Sequence, residues 1–380
     1  MWTISQWYED GRKTGERDRA IIRNHAELRL ELLKQDRPAA YEATVRDMLG
    51  FHRRRMDAVP DLVKYPELRG LRELLLAEHR GLGEAAGLDE TQLAAYLSGF
   101  DYYHRHIATA PAAAATCAGK ANCSLIYFPT SDVGPILANN LDSSPRQMFG
   151  PPDWPALNEH LVTGGVSSGV FMDEPSPEIF PAPVFKLVAR YCRTAREAVE
   201  LLTRYNFFWG PGNLLVIDRA NQVAMIEKSA CRIGVRWSPD GFAFITAMTA
   251  EEPGMNAFLA DRRAASIKAR RLPPGNADEA YWKKQDSRRQ LMNELLADAR
   301  QRPTIESLRR LIQFRDPVRG NVCGFGERYL ADGPESECTI RTAIWELRAG
   351  RARWWAQQGD TPSWNNRMPD VEYRDVLTWS

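Results

Sequence analysis

Cys123 is the residue on which chemistry is most readily built. It opens the apolar segment CSLIYFP and follows the run IATAPAAAATCAGKAN, residues 107–122. That run is small, Ala-rich and punctuated by Pro111 and Gly119, so it reads as a mobile connector. Cutting the Asn122–Cys123 bond would give Cys123 a free α-amine beside its thiol. The reference pKa values are about 7.7–8.0 for such an amine and about 8.5 for a thiol, so each group can assist the other near neutral pH. A nucleophile served by its own α-amino group is an established solution for Thr, and the logic carries over to Cys. Taken alone, a cysteine at a strand start is more often buried structure, and Asp142 alone would be an ordinary turn residue.

A histidine base is harder to supply. The six histidines stand at 25, 52, 79, 104, 106 and 160, all in the first 160 residues. A Cys–His pair would have to recruit one from the helical half. His104 and His106 form a lone HxH without nearby acidic ligands, which reads as polar surface, and no metal site is expected. Cysteines at 117, 123, 192, 231, 323 and 338 contain no CxxC pair, which argues against a zinc ribbon or a thioredoxin-like motif. One special cysteine among five packed ones is the working expectation.

Composition excludes several classes. A net charge of +1 lacks the basic excess of a nucleic-acid binder. No apolar stretch approaches the roughly 18 to 20 residues of a membrane span. The N-terminal MWTISQWYEDGRKTGERDR has no apolar signal core, so a cytoplasmic protein without membrane partners is expected.

The elements that would position Cys123 follow from periodicity. Apolar residues recur at helical spacing in AIIRNHAELRLELLKQ, YEATVRDMLGFH, LRELLLAEHRGLGEAAG and DETQLAAYLSGF, all within the first hundred residues. From Cys123 the pattern turns to strands: CSLIYFP and GPILANNL around the turn TSDVG, then NLLVID and QVAMIEK around Arg219 to Asn221. Between these pairs lies the helix TAREAVELLTRY, where Thr194 and Glu197 have capping-box spacing. CRIGVRW and FAFITAM extend the β region, residues 255–313 return to helix, and CTIRTAIWEL with ARWWAQQ closes the chain as a hairpin around Ala349 and Gly350. Asn213 after Gly210-Pro211-Gly212 reads as loop chemistry, and Phe207, Phe208 and Trp209 as core. Strands flanked by helical blocks indicate a layered α+β fold.

The segment NCSLIYFPTSDVGPILANNLD resembles the start of the mature chain in isopenicillin N acyltransferase-like enzymes (acyl-coenzyme A:6-aminopenicillanate acyltransferases). These are cysteine N-terminal-nucleophile hydrolases, related to choloylglycine hydrolases and acid ceramidase. In them a Cys opens a strand, a turn follows, and the next strand ends in Asn-x-Asp, here Asn140-Leu141-Asp142, nineteen residues after Cys123. Glu78, Gly81, Ala85 and Gly87 loosely match a Glu/Gly/Ala/Gly pattern in the helix before the cleavage point. The resemblance continues through TAREAVELL, GPGNLLVIDRANQVAMIEKS, the later helices and the closing hairpin. It implies a four-layer αββα sandwich from 123 to 380, preceded by a helical leader over 1–122 that stays associated after self-cleavage between Asn122 and Cys123. It implies Cys123 as nucleophile and, through its amine, base, and Asp142 as the residue that orients the amine. Asn139 occupies a position where the family often has Arg or Gln in contact with substrate, and Arg289 beside Ser287 is a loose match to a Ser–Arg pair.

One departure stands out. The family places an oxyanion-stabilising Asn where this chain reads FITAMTAEEPGMNAF, with Ala247 or Ala250 at the expected position and Asn256 as a displaced candidate. One such donor is worth about 3 kcal/mol of transition-state stabilisation. The function expected is hydrolysis or acyl transfer at the amide of a small N-acyl substrate, without a cofactor, and with an acyl-coenzyme A as donor if transfer is the reaction. The alternative is a catalytically weak or inactive binding protein on the same fold.

Overall fold

The computed structural model describes residues 3–58, 70–103, 106, 123–143, 156–167, 184–204, 212–229, 232–246, 249–268, 277–316, 320–322, 338–356 and 372–375. The connector 107–122 and the aromatic triplet Phe207 to Trp209 lie outside these. The chain divides into two compact units, a helical one drawn chiefly from residues 1–117 and one from residue 118 onward that carries every described strand.

The helical unit contains α1 (Ile4–Arg17), α2 (Arg19–Asp36), a 3₁₀ turn at Pro38–Ala40, α3 (Tyr41–Ala58), α4 (Leu71–Ala86) and α5 (Glu90–Tyr102). Four of these helices match the periodic segments, and α1 lies with them in the helical leader expected over 1–122. A capping box starts it: Gln6 N–H donates to Thr3 Oγ1 at 3.2 Å, and Thr3 N–H donates to Gln6 Oε1 at 2.8 Å. Its buried residues are Trp7, Gly11 and Gly15. The glycines exist for contact with α4. A Cβ on Gly11 would fall 2.1 Å from Glu78 O, one on Gly15 2.6 Å from Leu82 O, and one on Gly81 2.2 Å from Tyr8 O. Leu33 of α2, Met48 and Phe51 of α3, and Ala94, Ala95 and Tyr102 of α5 form a separate core. At its edge His52 Nδ1 shares a 2.8 Å hydrogen bond with Ser98 Oγ, and the Arg55 guanidinium lies 4.4 Å over the Phe51 ring.

The second unit holds two antiparallel sheets. One has the order β13–β12–β11–β2–β1–β8, with β1 Ser124–Phe128, β2 Ile136–Ser143, β8 Ala243–Thr246, β11 Cys338–Glu346, β12 Arg351–Ala356 and β13 Glu372–Asp375. The other has the order β3–β4–β5–β6–β7, with β3 Ala156–Leu157, β4 Leu161–Ser167, β5 Gly212–Asp218, β6 Val223–Lys228 and β7 Ile233–Trp237. A two-residue pair, β9 (Arg315–Asp316) and β10 (Gly320–Asn321), lies apart. Every residue of β1 is buried, because both of its faces are covered. Leu125 and Tyr127 face a core shared with Leu215, Ile217, Val223 and Met225 of the other sheet. Ile126 and Phe128 face Leu291 and Met292 of α9 (Ala277–Gln301) and Leu308 and Ile312 of α10 (Ile305–Ile312).

Three further helices complete the described part: α6 (Val184–Tyr191), α7 (Ala195–Arg204) and α8 (Pro253–Lys268). Helix α7 starts as its sequence predicts, with Glu197 N–H donating to Thr194 Oγ1 at 3.1 Å. The Glu197 carboxylate, however, accepts from Arg193 N–H at 2.7 Å, one residue before the cap. Strand β8 departs from the simplest reading of the β region. The chain leaves β7, turns through Gly241 at φ 81°, and pairs β8 with β1 in the opposite sheet.

Candidate active site

The site is assembled where β1 begins. Ser124 pairs with Asn140 of β2 on one side and with Thr246 of β8 on the other, so Cys123 sits at the open end of three adjacent strands. The alternation of β1 places Cys123 with Leu125 and Tyr127 on the face shared by the two sheets, where it is only 7% exposed. Its sulfur lies against the backbone of Asp142: the Asp142 N–H donates to Sγ at 3.4 Å, and the thiol is 3.6 Å from the Asp142 carbonyl that accepts from it. The nineteen-residue spacing therefore brings Cys123 and Asp142 together through main-chain groups. The Asp142 carboxylate is buried as well, and its Oδ1 accepts from Thr339 Oγ1 of β11.

Asn140 turns to the helix-covered face. Its Nδ2 donates to Ile312 O at 2.6 Å and Val322 O at 3.5 Å, and its Oδ1 accepts from Thr342 Oγ1 at 2.8 Å. Asn139, opposite Leu125, is fully buried; its Nδ2 donates to Ser124 O at 3.0 Å and Asn140 O at 3.1 Å, while its Oδ1 has no hydrogen-bond partner. Both residues singled out in the Asn-Asn-Leu-Asp run thus lie on the strand next to Cys123, Asn140 on the helix-covered face and Asn139 opposite Leu125.

The remaining expectations fare differently. Arg289 is half-buried, and it is its neighbour Arg288 that enters the core: Arg288 Nη2 donates to Ser124 Oγ at 2.7 Å and to Val322 O at 2.8 Å. Arg288 stands three and four residues before the buried Leu291 and Met292, and that helical phase is the signal the sequence offered for it. Its guanidinium thus holds Ser124, the residue after Cys123, from the helix-covered face of the sheet. Asn256 is exposed on α8, whose Met255, Phe258 and Leu259 join the core of Cys123 in its place. Ala250 is buried in that same core; Ala247 and Asn122 lie outside the described residues.

An asparagine does serve the segment after β8, but it comes from β5. Asn213 is a buried strand residue, which corrects its reading as loop chemistry. Its Nδ2 donates to Thr246 O and to Thr249 O, each at 2.8 Å, and its Oδ1 has no partner. It spans the gap between the sheets and pins the chain where β8 ends. Glu227 of β6 holds the next stretch: its carboxylate accepts from Glu251 N–H at 2.8 and 2.9 Å, Glu252 N–H at 2.9 Å and Arg236 Nε at 3.0 Å. Burial pushes the Glu227 carboxyl above its ordinary range, while Arg236 and the two amides pull it back.

Cys192 provides the contrast. It is also a buried free cysteine, and burial with the charge of Glu197 pushes its thiol up to about 12, away from thiolate. Among the described residues, no group of three His, Cys, Asp or Glu could hold a metal ion, and no helix is long and apolar enough to cross a membrane.

No protein-family model matches the sequence, and no curated protein matches it. Solved structures that are similar include penicillin V acylase from Agrobacterium tumefaciens, at TM-score 0.37 and 12% identity, covering 67% of this chain and 86% of that one. A mutant conjugated bile acid hydrolase from Clostridium perfringens is similar at TM-score 0.37 and 10% identity, covering 67% of this chain and 92% of its own. A second variant of that hydrolase gives TM-score 0.31 and 13% identity, with coverages of 68% and 91%. Likeness at this level is too loose to carry a statement about chemistry.

Proposed function

We propose that this protein is a self-processing cysteine amidohydrolase or acyltransferase of the N-terminal-nucleophile type, built on a four-layer αββα sandwich. The observation that carries the reading is the seat of Cys123: its thiol is buried immediately before a central strand and lies against Asp142, nineteen residues on, at both main-chain groups of that residue. Two phases follow. The Cys123 thiol attacks the Asn122 carbonyl carbon, and the peptide nitrogen leaves as the Cys123 amine. Water opens the resulting thioester, giving an Asn122 carboxylate and a free Cys123. In the second phase the thiolate attacks a substrate amide carbonyl, and the Cys123 ammonium gives its proton to the departing amine. Water, or an acceptor amine in the transfer reaction, then takes the acyl group from sulfur. The leader 1–122 stays bound to 123–380, no cofactor takes part, and acyl-coenzyme A is the donor if transfer dominates.

The oxyanion donors in this reading are main-chain N–H groups. Asn139, Asn140 and Asn213 each direct Nδ2 at two carbonyl oxygens, so all three amides are committed. That commitment, with alanine at position 250, is also what favours the second reading, a binding protein without turnover on the same fold.

Intact-mass spectrometry of the purified protein decides between them. Two co-purifying pieces, 1–122 and 123–380, that release acyl groups from a panel of N-acyl amides, small peptides and lactams are expected. Cys123→Ala should stay whole and inactive, and Cys117→Ala should process normally. An uncut chain that still hydrolyses amides refutes the amine mechanism; cleavage before Cys117 moves the nucleophile. A chain inert to the whole panel supports the binding protein.

A further inference from the structure

The pairing of β11 with β2 contains an irregularity at the candidate site. Glu346 faces Ile136, and the register runs evenly to Thr342 opposite Asn140 and Arg341 opposite Leu141. Continued evenly, it would set Ile340 opposite Asp142. Instead the register shifts between Thr339 and Arg341, and Thr339 stands opposite Asp142. A β-bulge of this kind inserts one residue and re-aims those beyond it. Here the inserted residue is Ile340, and the gain is a hydroxyl where an aliphatic side chain would otherwise meet a buried carboxylate. Thr339 is fully buried, Asp142 is 6% exposed, and Thr339 Oγ1 donates to Asp142 Oδ1.

We propose that the bulge at Ile340 makes Thr339 the positioning residue of the site: its hydroxyl fixes the rotamer of Asp142 and holds it as a carboxylate. This rests on the proposed role of Asp142 toward the Cys123 amine. A carboxylate in a buried setting is disfavoured unless donors reach it, and a hydroxyl donor to the charged form favours that form. Among the described residues near Asp142, the Cys123 sulfur touches its main chain, Arg341 of β11 stands opposite the preceding Leu141, and Arg288 of α9 reaches Ser124 of β1. Thr342, three residues along β11, does the parallel service for Asn140. Both polar residues of the Asn-x-Asp ending are thus oriented by threonine hydroxyls of one strand, and only the bulge makes the second contact possible.

The test compares Thr339→Val, which keeps the shape and loses the hydroxyl, with Thr339→Ser, which keeps the hydroxyl. Selective carboxyl-¹³C labelling of Asp, assigned with Asp142→Asn, reads the Asp142 titration without any substrate. Thr339→Val should move its midpoint upward by about one pH unit, the scale of one lost donor to a charged group, and Thr339→Ser should leave it in place. With p-nitrophenyl acetate as probe, the acid limb of kcat/KM should move upward in the valine variant by the same amount, with kcat at least tenfold lower and KM unchanged. If Thr339→Val is insoluble, Thr339→Ala serves in both measurements. An unshifted Asp142 resonance titration in the folded valine or alanine variant overturns the proposal. A shifted resonance with an unshifted rate profile leaves the contact standing and removes Asp142 from the chemistry, which is a failure of the functional reading.

Discussion

Asp142 meets Cys123 with its main chain and Thr339 with its side chain. One residue therefore sets both the thiol and the group that would orient the amine. Moving the strand that carries it moves both together.

Asp142→Asn keeps the shape and removes the charge. Turnover of the processed protein should fall by about two orders of magnitude, the size of a lost acid–base contribution. Near-wild-type turnover in folded Asp142→Asn would remove it from the proposed mechanism.

The two described free cysteines should differ sharply in reactivity. Iodoacetamide at pH 8, followed by peptide mapping, should modify Cys123 well before Cys192, whose thiol is held near 12. Comparable alkylation of the two would show that the seat of Cys123 does not activate it.

Asn213→Leu should loosen the end of β8. The carbonyls of Thr246 and Thr249 lose their donor, at about 1–3 kcal/mol for each buried group left unpaired. Urea unfolding should show a lower midpoint, with probe turnover falling alongside. A variant as stable and as active as wild type would mean that the turn after β8 is held by other contacts.

The helical unit should weaken in mild acid. Burial, and then the charge of Arg55, lower His52 to about 4 from an ordinary 6.5. The unfolded chain therefore takes up a proton between these values that the fold refuses. The stability tied to neutral His52 is fully present above pH 6.5 and lost as the pH falls to about 4, to an extent of about 3 kcal/mol at most. His52→Gln, which can still bond Ser98, should flatten that slope in circular-dichroism denaturation between pH 7 and 4. An identical slope in the variant would assign the acid sensitivity elsewhere.

What the sequence reveals of this fold depends on how each element makes its contacts. Helices with apolar stripes and the hairpins around 219–221 and 349–350 are legible because burial leaves a period behind. Helix α1 is legible only as part of the helical leader, since its stripe opens with Ile4, Trp7 and Tyr8 and continues as the glycines that meet α4. Strand β4 carries Gly164 and Gly165 at its centre and hides for a similar reason. Spacing alone brings Cys123, Asn139, Asn140 and Asp142 to one place, because they lie on two strands joined by a short turn. Arg288, Asn213 and Thr339 reach that place from 164 residues away from Ser124, 33 from Thr246 and 197 from Asp142. Nothing local in the chain records those meetings.

The strand order carries a consequence for biosynthesis. The sheet of Cys123 takes β1 and β2 early, β8 after the whole opposite sheet, and β11 only from residue 338. While a ribosome is still adding those residues, β2 has no outer neighbour and Asp142 has no Thr339 beside it. If the chain processes itself as proposed, that step waits for the emergence of the last hairpin, and nascent chains arrested before residue 338 should accumulate uncut.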